Sequence, residues 1–123
     1  MPSRSEHLQA AHNNRILAEQ LLLSPDGLPW APVLGFYSAL HMLDAYLAIL
    51  DMHPTSHVSR RTMVQRNPML QLILVDYREL EKLSREARYD LRPFTPEEAR
   101  SLLDGELRRV TAAITALLQP ANP

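Results

Sequence analysis

Three side chains able to move or hold protons recur at helical spacing in one apolar stretch: Tyr37, His41 and Asp44. Offsets of four and three residues put a phenol, an imidazole and a carboxylate on one strip of a helix, with Trp30 and Ala48 in line. Asp44 is the only charged residue between Trp30 and Leu50. A lone carboxylate on a buried helix needs a partner, because an unpaired buried charge costs several kcal/mol or neutralises. Arg88 has the same need with opposite sign. It shares a helical face with Leu70, Ile73, Tyr77, Leu80, Ser84 and Ala87. The economical expectation is a buried Asp44–Arg88 ion pair, with His41 and Tyr37 beside it, in helices that run parallel. Such a group offers acid–base chemistry next to a cation that can hold a phosphate. The same pair would also serve as an internal latch that fixes helix register and does no chemistry.

A second group is basic. Met52 to Val75 contains no acidic residue and carries Arg60, Arg61 and Arg66, with His53 and His57 alongside. Read as a surface, Arg60, Arg61, Arg66 and His57 form a patch for a nucleic-acid backbone; the alternative is the solvated face of a short helix. His53 and His57 are four apart, a metal-ligand spacing on a helix. His53 precedes Pro54, however, which disfavours helical geometry there, so no metal site is expected. No glycine-rich phosphate loop, nucleophile elbow or zinc-protease motif occurs, and no cofactor is expected. Glu97 and Glu98 are explained by the start of a helix.

The elements that must position these groups are helices. Ser3 and Glu6 read as a capping box, and a first helix runs to the breaker Ser24-Pro25-Asp26-Gly27. A second opens around Pro29–Pro32, runs to about Leu50 and is apolar nearly all round, the mark of a central buried helix. Its length would allow a membrane span, but His41 and Asp44 at mid-helix have no second span to shelter them, so no membrane is expected. A short third helix covers His57 to Arg66. A fourth opens at Pro68 and runs to about Tyr89. Thr95-Pro96-Glu97-Glu98 opens a fifth, with Leu103, Leu107, Val110, Ile114 and Leu117 as its core stripe and Pro120 as its end. Three glycines and no alternating pattern argue against strands.

Composition sets the bounds. The 123 residues suffice for one core: a single helical domain over 1–119 with a short tail, 120–123. The apolar fraction, 46%, is that of a globular chain, and the formal charge of −1 gives no global pull toward nucleic acid or acidic lipid. Absence of cysteine excludes disulfides, thiolate zinc sites and a cysteine nucleophile. The polar N-terminal residues do not read as a signal peptide, so a cytoplasmic location is expected. Of the basic residues only Lys82 is a lysine. Arginine suits bidentate phosphate contacts, yet abundant Ala, Leu, Pro and Arg also fit a GC-rich genome.

Several stretches together resemble small bacterial HEPN-domain proteins: Phe36-Tyr37-Ser38-Ala39-Leu40-His41, then Asp44-Ala45-Tyr46-Leu47, Ser56-His57 through Arg60, and Ser84-Arg85-Glu86-Ala87-Arg88-Tyr89. Their order and spacing from Leu8 to Tyr89 carry the resemblance. It implies an all-α, up-and-down bundle of about five helices, usually a homodimer. It also implies metal-independent RNA cleavage or RNA binding of the kind found in toxin–antitoxin and phage-defence systems, often with a cognate protein partner. Catalytic members carry an arginine, four to six residues, then a histidine. None of His7, His12, His41, His53 or His57 has that arginine. The expectation is therefore a variant site, with His41 as acid or base, Tyr37 beside it and Arg85 or Arg88 on the phosphate. The alternative is a non-catalytic interaction module or degenerate partner subunit.

Overall fold

The computed structural model describes residues 2–119. The tail expected at 120–123, and the helix stop at Pro120, lie outside the described residues.

Helix α1, Arg4–Leu21, begins where local chemistry dictates. The Ser3 hydroxyl accepts from the Glu6 amide at 3.1 Å, and the Glu6 carboxylate accepts from the Ser3 amide at 3.0 Å. Two amides without a helical partner are satisfied at once. Small residues, Ala11 and Ala18, face the core and let α1 lie close on its neighbour. A 3-10 turn, Leu28–Trp30, leads into α2, Ala31–Ile49. The closeness is visible where Ser38 of α2 donates to the Ala11 carbonyl of α1 at 2.7 Å. Contacts of 7 with 41 and 11 with 38 make the two helices antiparallel.

The second helix is buried on every side, by Phe36, Ala39, Leu40, Leu43, Tyr46 and Leu47 among others. The segment Leu28–Ile49 is long and apolar enough to cross a membrane by length and composition, but 72% of its most apolar stretch is buried, which makes it the core helix around which the rest is wrapped. Helix α3, His57–Arg66, is capped by Ser56, whose hydroxyl accepts from the Ser59 amide at 3.0 Å.

Pro68 opens a 3-10 segment, Pro68–Ile73, and not the α-helix expected there; α4 proper is Leu74–Tyr89. The side chain of Asn67 caps that segment by accepting from Met69 at 2.9 Å. Thr95 and Glu98 form the expected capping box for α5, Pro96–Leu102. A π-helical turn, Leu103–Leu107, carries it without a break into α6, Arg108–Leu118. The three pieces make one rod, so the fold is an all-α bundle of five helices, with no strand among the described residues. At the π turn the rod comes very close to α2. A Cβ on Gly35 would lie 2.9 Å from a methyl of Leu103, so this crossing depends on the missing side chain.

Candidate functional site

Asp44 is 6% exposed and does find an arginine, but the partner is Arg60 and not Arg88. Arg60 donates Nε–H to Oδ1 at 2.8 Å and Nη2–H to Oδ2 at 3.0 Å, a parallel two-bond fork. Arg60 is itself only 8% exposed. Two expectations are thereby corrected. The Asp44–Arg88 pair does not form, and Arg60 is not a surface residue available to a nucleic acid. The reason lies in helix geometry. Arg88, in the last turn of α4, donates to Tyr37 Oη at 3.0 Å, and Asp44 lies seven residues, about 10 Å of axis, further along α2. A residue late in α4 meeting one early in α2 is what antiparallel neighbours give, not the parallel pair that would bring Asp44 to Arg88. The short α3 fills the remaining space and delivers Arg60 instead.

His41 faces α1. Its Nδ1 lies 3.1 Å from Nδ1 of His7, so one ring donates to the other. Burial, His7 and Arg60 push the His41 imidazole below its ordinary range, against the pull of Asp44. Tyr37, one turn earlier, belongs to Arg88. Its ring lies 5.7 Å from the guanidinium carbon of Arg88, and the Tyr89 ring lies 5.1 Å from that same carbon. The expected group around His41 is thus divided. Tyr37 and Arg88 come together, whereas His41 pairs with His7 and lines none of the cavities that Arg85 and Arg88 line.

Those cavities follow the seam of α3 and α4. One, of about 230 Å³, is lined by His57, Arg61, Glu81, Arg85, Arg88 and Tyr89. The next, of about 330 Å³, shares Arg61, Glu81 and Arg85 and adds Arg78, Thr62, Gln65 and Val58. Together they form one groove bordered by four arginines and a single carboxylate. That carboxylate, Glu81, is buried and approaches His57 Nδ1 at 3.9 Å and Arg61 at 3.6 Å. Arg78, Arg85 and Arg88 have no acidic partner among the described residues. The α4 stripe from Arg78 to Arg88 runs about 15 Å along the helix. Burial and the nearby arginines push His57 below its ordinary pKa, and Glu81 pulls the other way. The groove can therefore hold a row of anions next to one imidazole whose pKa burial and the arginines lower.

Of the proposed basic patch, His57 and Arg61 line this groove; Arg66, exposed at the end of α3, does not. Arg78 and Glu81 were not singled out by sequence. The seven-residue spacing of Arg78 and Arg85 was the available signal, since it repeats a helical face. His53 sits in the loop before α3, 3.4 Å from Asp51. No cluster of three or more metal-ligating side chains occurs among the described residues. Comparison with protein-family models, curated proteins and solved structures yields no match to this chain.

Proposed function

We propose that this is an RNA-directed protein of HEPN-like type that binds a sugar–phosphate backbone along the α3–α4 groove. The carrying observation is that Arg61, Arg78, Arg85 and Arg88 border one groove with only Glu81 opposing them, in a chain whose formal charge is −1. Positive charge so concentrated in a cleft, supplied by bidentate donors, suits phosphate. Metal-independent cleavage in this groove would use His57, not His41, to take the proton of a ribose 2′-hydroxyl. That oxygen would bond to phosphorus, the bond to the 5′-oxygen would break, and water would protonate the leaving oxygen. Glu81 would orient His57, and the arginines would hold the charge that develops on phosphate. Toxin–antitoxin or phage-defence work is the setting that the family resemblance suggests.

The test is direct. RNA binding in EDTA should weaken with salt, with a log–log slope of about −2 to −3 for three or four phosphate contacts on a single strand. Arg78→Glu with Arg85→Glu should abolish it. Salt-independent binding, or full binding by that double variant, would refute the groove. For cleavage, His57→Ala should stop product formation while His41→Ala retains it.

A second reading, a protein-interaction module, is favoured by a different observation. On the Pro68–Ile73 turn and the start of α4, Leu72 and Val75 are 86% and 78% exposed, with Met69 beside them. Three large apolar side chains on one side of a single segment suit a protein surface. We propose that a second copy of the chain docks there, giving the homodimer expected from the family resemblance; a cognate protein is the other candidate occupant.

A further inference from the structure

The arginine-lined groove ends at an aromatic ring. Tyr89 is the last residue of α4 and lines the cavity shared with His57, Arg85 and Arg88, yet it is 71% exposed. A tyrosine gains little by standing in water, and its hydroxyl makes no hydrogen bond within the described residues. What holds its place is Arg88, whose guanidinium carbon lies within cation–π reach of both the Tyr89 and Tyr37 rings and which donates to the Tyr37 hydroxyl. The ring is thus propped at the rim by a cation that belongs to the groove.

The backbone turns just beyond the ring. Leu91 has φ of +52°, the left-handed region that leucine rarely enters. This turn leaves the Leu91 side chain 82% exposed two residues from Tyr89, where an ordinary chain would place a glycine or asparagine. Leu91 is the left-handed residue that closes α4, where the Arg92 amide donates to the Glu86 carbonyl at 3.2 Å.

We propose that the groove takes single-stranded RNA in preference to duplex, with one unpaired base stacked on Tyr89 and the adjoining phosphate on Arg85 and Arg88. An aromatic beside a row of arginines is how proteins hold unpaired strands, because every base has a face to stack. In a duplex the bases are stacked on one another and none is free to lie on the ring. Tyr89 is then a specificity-determining residue, and Arg88 is both a phosphate ligand and the prop that aims it. The proposal rests on the RNA reading above and adds which form of RNA is taken and how.

The test compares a short single-stranded RNA with a blunt-ended RNA duplex of the same length, by fluorescence anisotropy on the full chain. Wild type should favour the single strand. Tyr89→Leu, which keeps apolar bulk but removes the ring, should weaken single-strand binding about 10- to 100-fold, the worth of one stacked base. Tyr89→Phe should leave it unchanged. With 2-aminopurine in the single strand, the fluorescence change on binding should vanish in Tyr89→Leu and persist in Tyr89→Phe, a readout that a merely structural tyrosine would not move. Equal binding of single strand and duplex, or wild-type affinity in Tyr89→Leu, overturns stacking while leaving the RNA reading standing. No binding of either RNA by wild type overturns both.

Discussion

Removing Arg60 should do far more damage than its position on a short polar helix suggests. Arg60→Ala leaves the Asp44 carboxylate beneath α3 with both oxygens stripped of their donors. Breaking a buried pair by deleting one partner costs about 3–5 kcal/mol. A domain of this size is stable by only about 5–15 kcal/mol, so the loss is roughly a fifth or more and should lower the Tm by roughly 10–20 °C. Asp44→Ala should cost a similar amount, because it leaves the guanidinium buried. The double variant should fall short of the summed losses by about 2–3 kcal/mol, since the second deletion removes the charge stranded by the first. Asp44→Leu with Arg60→Met should recover much of the stability, as apolar replacement of a whole buried pair often does. Arg88→Ala gives the contrast. It breaks a half-buried bond to Tyr37, worth about 1 kcal/mol, and its effect should add to that of Asp44→Ala. Urea denaturation followed by circular dichroism at 222 nm measures these variants and the double variant Asp44→Ala with Arg88→Ala. Additive losses for Asp44 and Arg60, or strong coupling between Asp44 and Arg88, would refute the pairing.

Two further outcomes are expected. His41 and His57 both have imidazole pKa values depressed below 6.5 in the fold, chiefly by burial. The unfolded chain therefore binds protons more readily, and stability, intact above pH 6.5, should fall as pH drops below it. Urea midpoints at pH 7.5 and 5.5 should differ, and the difference should shrink in His41→Gln; a midpoint that rises on acidification would contradict the sign. For association, light scattering at micromolar concentration should give a dimer mass, and Leu72→Glu with Val75→Glu a folded monomer; a monomeric wild type would remove the apolar stripe as a self-docking surface.

What the sequence disclosed and what it withheld divide by range. The capping boxes at Ser3–Glu6 and Thr95–Glu98 were legible because each partner is three residues away. The buried character of α2 was legible because it is written on every side of one segment. The partner of Asp44 was not. Arg60 lies 16 residues away, on a helix polar enough to read as wholly solvated. Two arginines had equal chemical claims on one carboxylate, and only the packing of α3 against α2 decided between them. Tyr37 and Arg88 were grouped correctly, because a half-buried phenol and a half-buried guanidinium had few other places to go. His41 was misjoined for want of any sign that His7 would reach it from α1. The groove was half visible: His57, Arg61, Arg85 and Arg88 were named, but in two separate groups, because nothing local says that α3 lies along α4.

The π turn has a consequence for chain length. A regular α-helix advances 100° per residue, so deleting one residue ordinarily swings everything beyond it off the core. A π turn is a helix that has absorbed one extra residue into a single wide loop of backbone. From Pro96 to Leu118 the rod thus holds one residue more than its two α-helical ends require. Loss of Asp104 would let that loop close into ordinary α-helix, with Ala99 and Leu102 before it, and Val110 and Ile114 after it, still aimed at α2. Loss of Ala112 would instead turn Ile114 toward water. The rod is one place in this chain where a length change can leave every buried side chain facing the way it did.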